Sequence, residues 1–113
     1  MEKTSRSGCR VTAVVVTYNR KELLVECLQA LLAQTVFDTG AGCELEILVV
    51  DNASTDGTAS SLSPLLEREP RIHYMLLEEN LGGAGGFCAG MKRAVEEGCD
   101  YVWIMDDDTI PKP

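Results

Sequence analysis

Basic residues are scarce in this chain of 113 residues. Ten Lys and Arg stand against eighteen Asp and Glu, for a net charge of −8. That balance excludes general nucleic-acid binding, which depends on cations that neutralise phosphates. A phosphorylated ligand would need local help, from a metal or from backbone amides. His73 is the only histidine. It lies in an expected strand, and a packing or surface role suits it better than catalysis. No Ser/His/Asp triad or Cys/His pair is suggested. The five cysteines, Cys9, Cys27, Cys43, Cys88 and Cys99, include no C-x-x-C spacing and are odd in number. This argues for reduced thiols in a cytoplasmic protein over a disulfide or zinc framework. Cys27 and Cys88 fall in helical apolar patterns. The opening MEKTSRSGCR lacks the apolar stretch of a signal peptide, and no run approaches membrane-spanning length. Internal repeats and low-complexity tracts are also missing.

What remains is ordinary globular composition, 45% apolar and 25% charged, enough for one small domain with a modest core. Residues 1–10 read as an N-terminal tail and 11–113 as the domain. VTAVVVTY (Val11 to Tyr18) is a β-branched run long enough for a buried strand. Asn19 and Glu22 have capping-box spacing. Leu23, Leu24, Cys27, Leu28, Leu31 and Leu32 then recur at helical spacing. After the loop TVFDTGAG, a second strand is expected from Glu44 to Asn52. ASTDGT supplies turn and cap residues, and a helix from about Asp56 to Arg68 should kink or split at Pro64. The third strand is expected from Ile72 to Glu79, and NLGGAGG as a glycine-rich loop. Phe87, Met91 and Val95 define the next helix face, and Gly98 stands where a C-terminal capping glycine belongs. YVWIM (Tyr101 to Met105) is the fourth strand, with Tyr101 and Trp103 explained by core packing.

Alternating strands and helices with short connections imply an α/β fold, a parallel sheet in a three-layer α/β/α arrangement. Right-handed crossovers are nearly obligatory, and ligands bind beyond the carboxyl ends of the strands. The four strands end in Thr17-Tyr18-Asn19-Arg20, Asp51-Asn52, Glu78-Glu79-Asn80 and Asp106-Asp107-Asp108. Polar groups therefore converge on one rim.

Three adjacent carboxylates repel unless a cation offsets them. In extended backbone, Asp106 and Asp108 point to one side and Asp107 to the other. Hard oxygen donors suit Mg2+ or Mn2+; the alternative is a solvated acidic turn. Asp51 is either a turn or cap former or an acceptor for a base N–H or ribose hydroxyl. Asp56 looks structural. The glycines from Gly82 to Gly86 permit close approach to a ligand and leave amides free at a helix start, or else serve tight packing. They match neither a dinucleotide fingerprint, because Cys88 holds the third glycine position, nor a P-loop. Arg20 and Lys21 could meet a phosphate or form a surface pair.

VVVTYNR, ILVVDNASTDGT, ENLGGAGG and WIMDDD occur in an order and at spacings that resemble the nucleotide-binding half of a family 2 glycosyltransferase with the Rossmann-like GT-A fold. The resemblance spans roughly Val11 to Pro111. GGAGGF with a full DDD is most similar to the galactofuranosyl- and rhamnosyl-transferase branch. The resemblance implies a UDP- or dTDP-linked sugar donor, inversion at the anomeric carbon, Mn2+ or Mg2+ as cofactor, and a glycan or lipid-linked acceptor in polysaccharide biosynthesis. It places Thr17, Tyr18 and Arg20 beside the base or phosphates and Asp51 at the uracil or thymine ring. The Gly83 region would line the ribose and diphosphate. Asp106 and Asp108 would match the D-x-D pair, with Asp108 the direct metal ligand and Asp106 nearer the ribose and metal waters. In such enzymes the general base lies well downstream of the D-x-D. It is expected beyond Pro113, so the chain reads as a donor-binding fragment. Location is expected in the cytoplasm, with peripheral association at the inner membrane face through regions outside the chain.

Other readings compete. A nucleotidyltransferase wants a glycine-rich basic loop after the first strand, where Thr17-Tyr18-Asn19-Arg20 stands instead. A response-regulator-like domain wants its phosphoacceptor Asp at the end of the middle strand and a Lys ending the last one; here the last strand ends in the acidic cluster, with no matching Lys. A non-catalytic nucleotide- or metal-binding module is the remaining alternative.

Overall fold

A computed structural model of the protein describes residues 9–33 and 43–106. Asp107 and Asp108 lie outside them, as does the loop after the first helix. The chain order is β1 (Cys9–Thr17), α1 (Lys21–Leu32), β2 (Cys43–Asp51), α2 (Thr58–Arg68), β3 (Ile72–Leu76), α3 (Gly82–Glu96) and β4 (Tyr101–Asp106). All strand pairs are parallel, in the order β3-β2-β1-β4.

The central strand explains the layers. Ala13 to Val16 are all buried, because this stretch is covered on both faces. Ala13 and Val15 face a core built with Leu24, Cys27, Leu28 and Leu31 of α1 and Leu62 and Leu65 of α2. Val14 and Val16, alternating with them, face Ala94 of α3 together with Leu48 and Val50. This is the expected three-layer α/β/α fold. The strand order reverses after β3. The chain then returns past β2 and β1 to β4, which puts α3 on the opposite face from α1 and α2, as right-handed crossovers require.

Several local expectations are corrected. Asn19 and Glu22 form no capping box. Arg20 is the cap residue of α1 with no side-chain cap bond, because the Asn19 amide is committed to Thr55 of the neighbouring loop. Leu23 is 40% exposed and drops out of the buried stripe of α1. α2 starts at Thr58, after Gly57 at φ +85, and runs through Pro64 as one element. Pro64 and Ser60 are both exposed, so the carbonyl that loses its N–H partner is open to water. β3 stops at Leu76, which leaves Glu78 and Glu79 in an exposed loop. Tyr101 is 64% exposed, since β4 is an edge strand; Trp103 alone of the two packs on the core. Cys27 is buried and Cys88 exposed; both are free thiols, as is Cys99.

The largest correction concerns α3. The glycines of NLGGAGG are not a loop: Gly82 to Gly86 form the first turn of the helix. The buried stripe is Gly86, Gly90 and Ala94, not Phe87, Met91 and Val95; Val95 is 66% exposed. The reason is close approach. A Cβ on Gly90 would stand 2.5 Å from Val14 Cγ1 and 2.9 Å from Val50 Cγ2, and one on Gly86 would stand 2.9 Å from Val16 Cγ1. Small residues let the helix backbone rest on the β-branched surface of the sheet. The far end of α3 is as expected. Gly98 takes φ +88, its N–H donates to Val95 O at 3.0 Å, and the Cys99 N–H donates to Ala94 O at 3.3 Å, the two bonds of a Schellman cap.

Candidate nucleotide-binding site

The reversal of strand order makes a switch point between β1 and β4. Ligand crevices of open α/β sheets lie there, beyond the carboxyl ends of the strands. A cleft of about 260 Å³ opens at this end, lined by Thr17 at the end of β1, Tyr18 and Arg20 just after it, Asn52 after β2, Asn80 before α3, and Gly82 and Gly83 at the start of α3. The structure thus brings four of the expected site residues, Thr17, Tyr18, Arg20 and Gly83, onto one cleft. Lys21 turns elsewhere: its Nζ donates to Asp56 O at 2.8 Å. Asp106 closes β4 in register with Val16, one residue short of Thr17, and so lies on the same rim. Asp108 lies outside the described residues. Among these, no group of three or more His, Cys, Asp or Glu is placed to hold a metal. Carboxylate oxygens such as the triplet carries are hard donors of the kind a divalent cation takes.

Asp51 pairs with Thr17 and Leu76 at the strand ends, but its side chain does not line the cleft. It is 1% exposed. Oδ1 accepts the Ser54 N–H at 2.8 Å, and Oδ2 accepts the Tyr74 hydroxyl. Burial, and then the bond to this carboxylate, push the Tyr74 phenol well above its ordinary pKa, so it remains a donor. Both oxygens of Asp51 are thus engaged within the protein.

The loops around the cleft are braced to one another. Asn19, at φ +53, donates its backbone N–H to Ser54 Oγ at 2.9 Å. Its Oδ1 accepts the Thr55 N–H at 2.7 Å. Ala53 also has positive φ, at +65; such conformations in residues other than glycine are held by their surroundings. Asp56 is structural, as expected. It accepts from the Thr58 hydroxyl and the Lys21 N–H, and these, the Thr58 bond first, hold its carboxyl below the usual range. Sequence reasoning named Asn52 and Asn80 on the rim but assigned them no role, and it missed Tyr74. An Asn ending a hydrophobic strand was the available signal for Asn52; nothing in the local pattern marked Tyr74.

A second cleft, of about 270 Å³, opens near the amino ends of the strands, with Arg10, Glu46 and His73 in its wall. His73 Nε2 lies 2.6 Å from Glu46 Oε1, so the histidine has the surface role expected of it, at the end of the sheet away from the rim.

Residues 12–113 match the family model described as Glycosyl transferase family 2. The chain belongs to this family. It is 41% identical over 100 residues to the galactofuranosyltransferase GlfT1 of Mycobacterium tuberculosis, covering 87% of this chain and 30% of that protein. The GlfT1 of Mycolicibacterium smegmatis is 37% identical over 102 residues, again with 30% of the relative covered. These relatives support the galactofuranosyl branch of family 2. Among solved structures, the mannosyltransferase PcManGT from Pyrobaculum calidifontis in complex with GDP-Man and Mn2+ superposes with a TM-score of 0.71 at 32% identity, over 94% of this chain and 29% of that one. S. aureus TarS 1-349 in complex with UDP gives 0.71 at 28% identity, over 88% and 27%. These neighbours support the GT-A fold. The chain therefore spans about 30% of the length of these relatives and neighbours. None of the described helices is long and apolar enough to cross a membrane.

Proposed function

We propose that the chain is the donor-binding part of a glycosyltransferase that transfers a sugar, with inversion, from a UDP- or dTDP-linked donor to a hydroxyl of a glycan or lipid-linked acceptor. The observation that carries this reading is the cleft beyond the carboxyl ends of β1 and β2, where Thr17, Tyr18, Arg20 and Gly83 meet on the rim that Asp106 also joins. Tyr18 is 44% exposed and offers a ring beside the cleft, and Arg20 offers a cation for a phosphate. The first amides of α3 have no intrahelical acceptor and suit an anion. A side chain at Gly83 would meet nothing within 4 Å among the described residues, and Gly83 has no positive φ. Packing therefore does not demand glycine there, whereas a ligand that approaches the backbone does.

In this assignment Thr17, Tyr18 and Arg20 hold the base and phosphates, and the Gly83 region lines the ribose and diphosphate. Asp51 accepts from the pyrimidine ring once Tyr74 moves, Asp106 approaches the ribose, and Asp106 and Asp108 hold Mn2+ or Mg2+. When bound, the metal would supply positive charge to offset the negative charge developing on the leaving diphosphate. The general base and acceptor site are assigned to the part of the polypeptide that the longer relatives have in addition. Work at the cytoplasmic face of the membrane belongs to the same proposal.

Calorimetric titration with UDP, dTDP and GDP, with and without Mn2+, tests the reading. UDP or dTDP should bind, and more tightly with metal. Silence for all three nucleotides from folded protein would refute it; preference for GDP, the nucleotide of the PcManGT complex, would overturn the pyrimidine assignment.

A further inference from the structure

We propose that Asn52 is a positioning residue that clamps the start of α3 to the end of β2 and so sets the diphosphate half of the nucleotide site separately from the base half. The inference rests on the reading of the cleft given above. Asn52 is 3% exposed. Its Oδ1 accepts the Leu81 N–H at 3.1 Å, and its Nδ2 donates to Gly82 O at 3.0 Å. Its own backbone N–H donates to Thr17 O at 2.9 Å. One residue therefore ties the ends of β1 and β2 to the first turn of α3. Only an amide serves, because the two bonds need a donor and an acceptor on one short planar group.

Asp51 and Asn52 divide the rim between them, since neighbours in extended backbone face opposite ways. Asp51 turns to Tyr74, which packs on the core of α1 and α2. Asn52 turns to α3, whose Gly86 would place a Cβ 3.1 Å from Asn52 Nδ2. Gly82 is held from both sides, its carbonyl by Asn52 and its N–H by Asn80 Oδ1 at 2.7 Å. The next amides of the turn are thereby aimed from a fixed position. Loss of the clamp displaces those amides and leaves Asp51 and its partners in place.

The test is an NMR titration of the chain with uridine and with UDP plus Mg2+, for the parent, Asn52→Ala and Asn52→Asp. The ratio of UDP to uridine affinity should fall by about tenfold or more in both variants, the scale expected for misplaced binding groups, while uridine, which meets the turn only through its ribose, loses less affinity than UDP. Asn52→Asp is nearly isosteric, and Asn52→Ala controls for the charge it adds. Equal loss of uridine and UDP, or an unchanged ratio, would overturn the division of labour. A ligand-free measurement tests the clamp itself. Exchange of the Leu81 amide with solvent should speed up in Asn52→Ala but not in Asn52→Asp, which keeps the acceptor; equal rates in the parent and Asn52→Ala overturn the clamp whether or not any nucleotide binds. A parent that binds neither uridine nor UDP overturns the donor-site reading instead.

Discussion

Replacing Gly90 and Gly83 by alanine, one at a time, separates glycine kept for packing from glycine kept for a ligand. Both lie in α3, where alanine is intrinsically favoured over glycine by up to about 1 kcal/mol. At Gly90 the new methyl would stand 2.5 Å from Val14 Cγ1 and 2.9 Å from Val50 Cγ2. Both valines are fully buried in central strands that cannot yield independently. Overpacking of this kind costs about 1 to 3 kcal/mol, and contacts this short put it at the upper end. After the helical gain, the net loss is about 1 to 2 kcal/mol, or roughly 5 to 15 °C in Tm for a domain of this size. At Gly83 nothing among the described residues lies within 4 Å of the added methyl and φ is not positive, so the helical gain stands and Tm should hold or rise. Nucleotide affinity should fall, because the methyl projects where the ligand is placed. Differential scanning fluorimetry and UDP titration on the two variants give both readouts. If Gly90→Ala raises Tm, the close packing of α3 on the sheet is wrong; if Gly83→Ala binds UDP like the parent, Gly83 does not line the site.

Asp51→Ala should weaken UDP binding and also lower stability, by about 1 to 3 kcal/mol, because the partly buried Tyr74 hydroxyl loses its acceptor; denaturant melts alongside titration separate the two effects. Asp108→Asn should abolish the rise in Tm that Mn2+ adds to UDP, with Asp107→Asn, on the other side of the strand direction, weakening it less; the reverse order would defeat the alternation argument. Asp56 has a lowered pKa, chiefly from the Thr58 hydroxyl. Its contribution is therefore fully present above the ordinary value of 3.8 and lost as pH falls through the lowered one. Asp56→Asn should reduce Tm at pH 7, and the difference from the parent should close on acidification; a pH-independent difference would refute the charge-based account.

Much of the fold was legible because its signals are local. The β-branched run at Val11 to Val16, the leucine spacing of the first helix and the glycine at 98 each follow from a few neighbouring residues, as does the alternation that implies a parallel sheet. The rim was legible for the same reason: three of the four strands end in polar residues, and parallel strands bring those ends together. Tertiary structure alone decided the rest. Helical periodicity shows that α3 has a stripe, but only contact with Val14, Val16 and Val50 shows that the stripe is Gly86-Gly90-Ala94, because small residues win where a backbone must rest on a sheet. Asn19 has the right spacing for a capping box, yet Thr55 offers its amide better partners 36 residues away. Asp51 was visible as a carboxylate at a strand end, but its bond to Tyr74 joins β2 to β3, and the clamp from Asn52 to Leu81 and Gly82 joins β2 to α3. Such bonds form between groups that sequence separates and the fold brings together, which is why local pattern located the rim and tertiary packing arranged the residues on it.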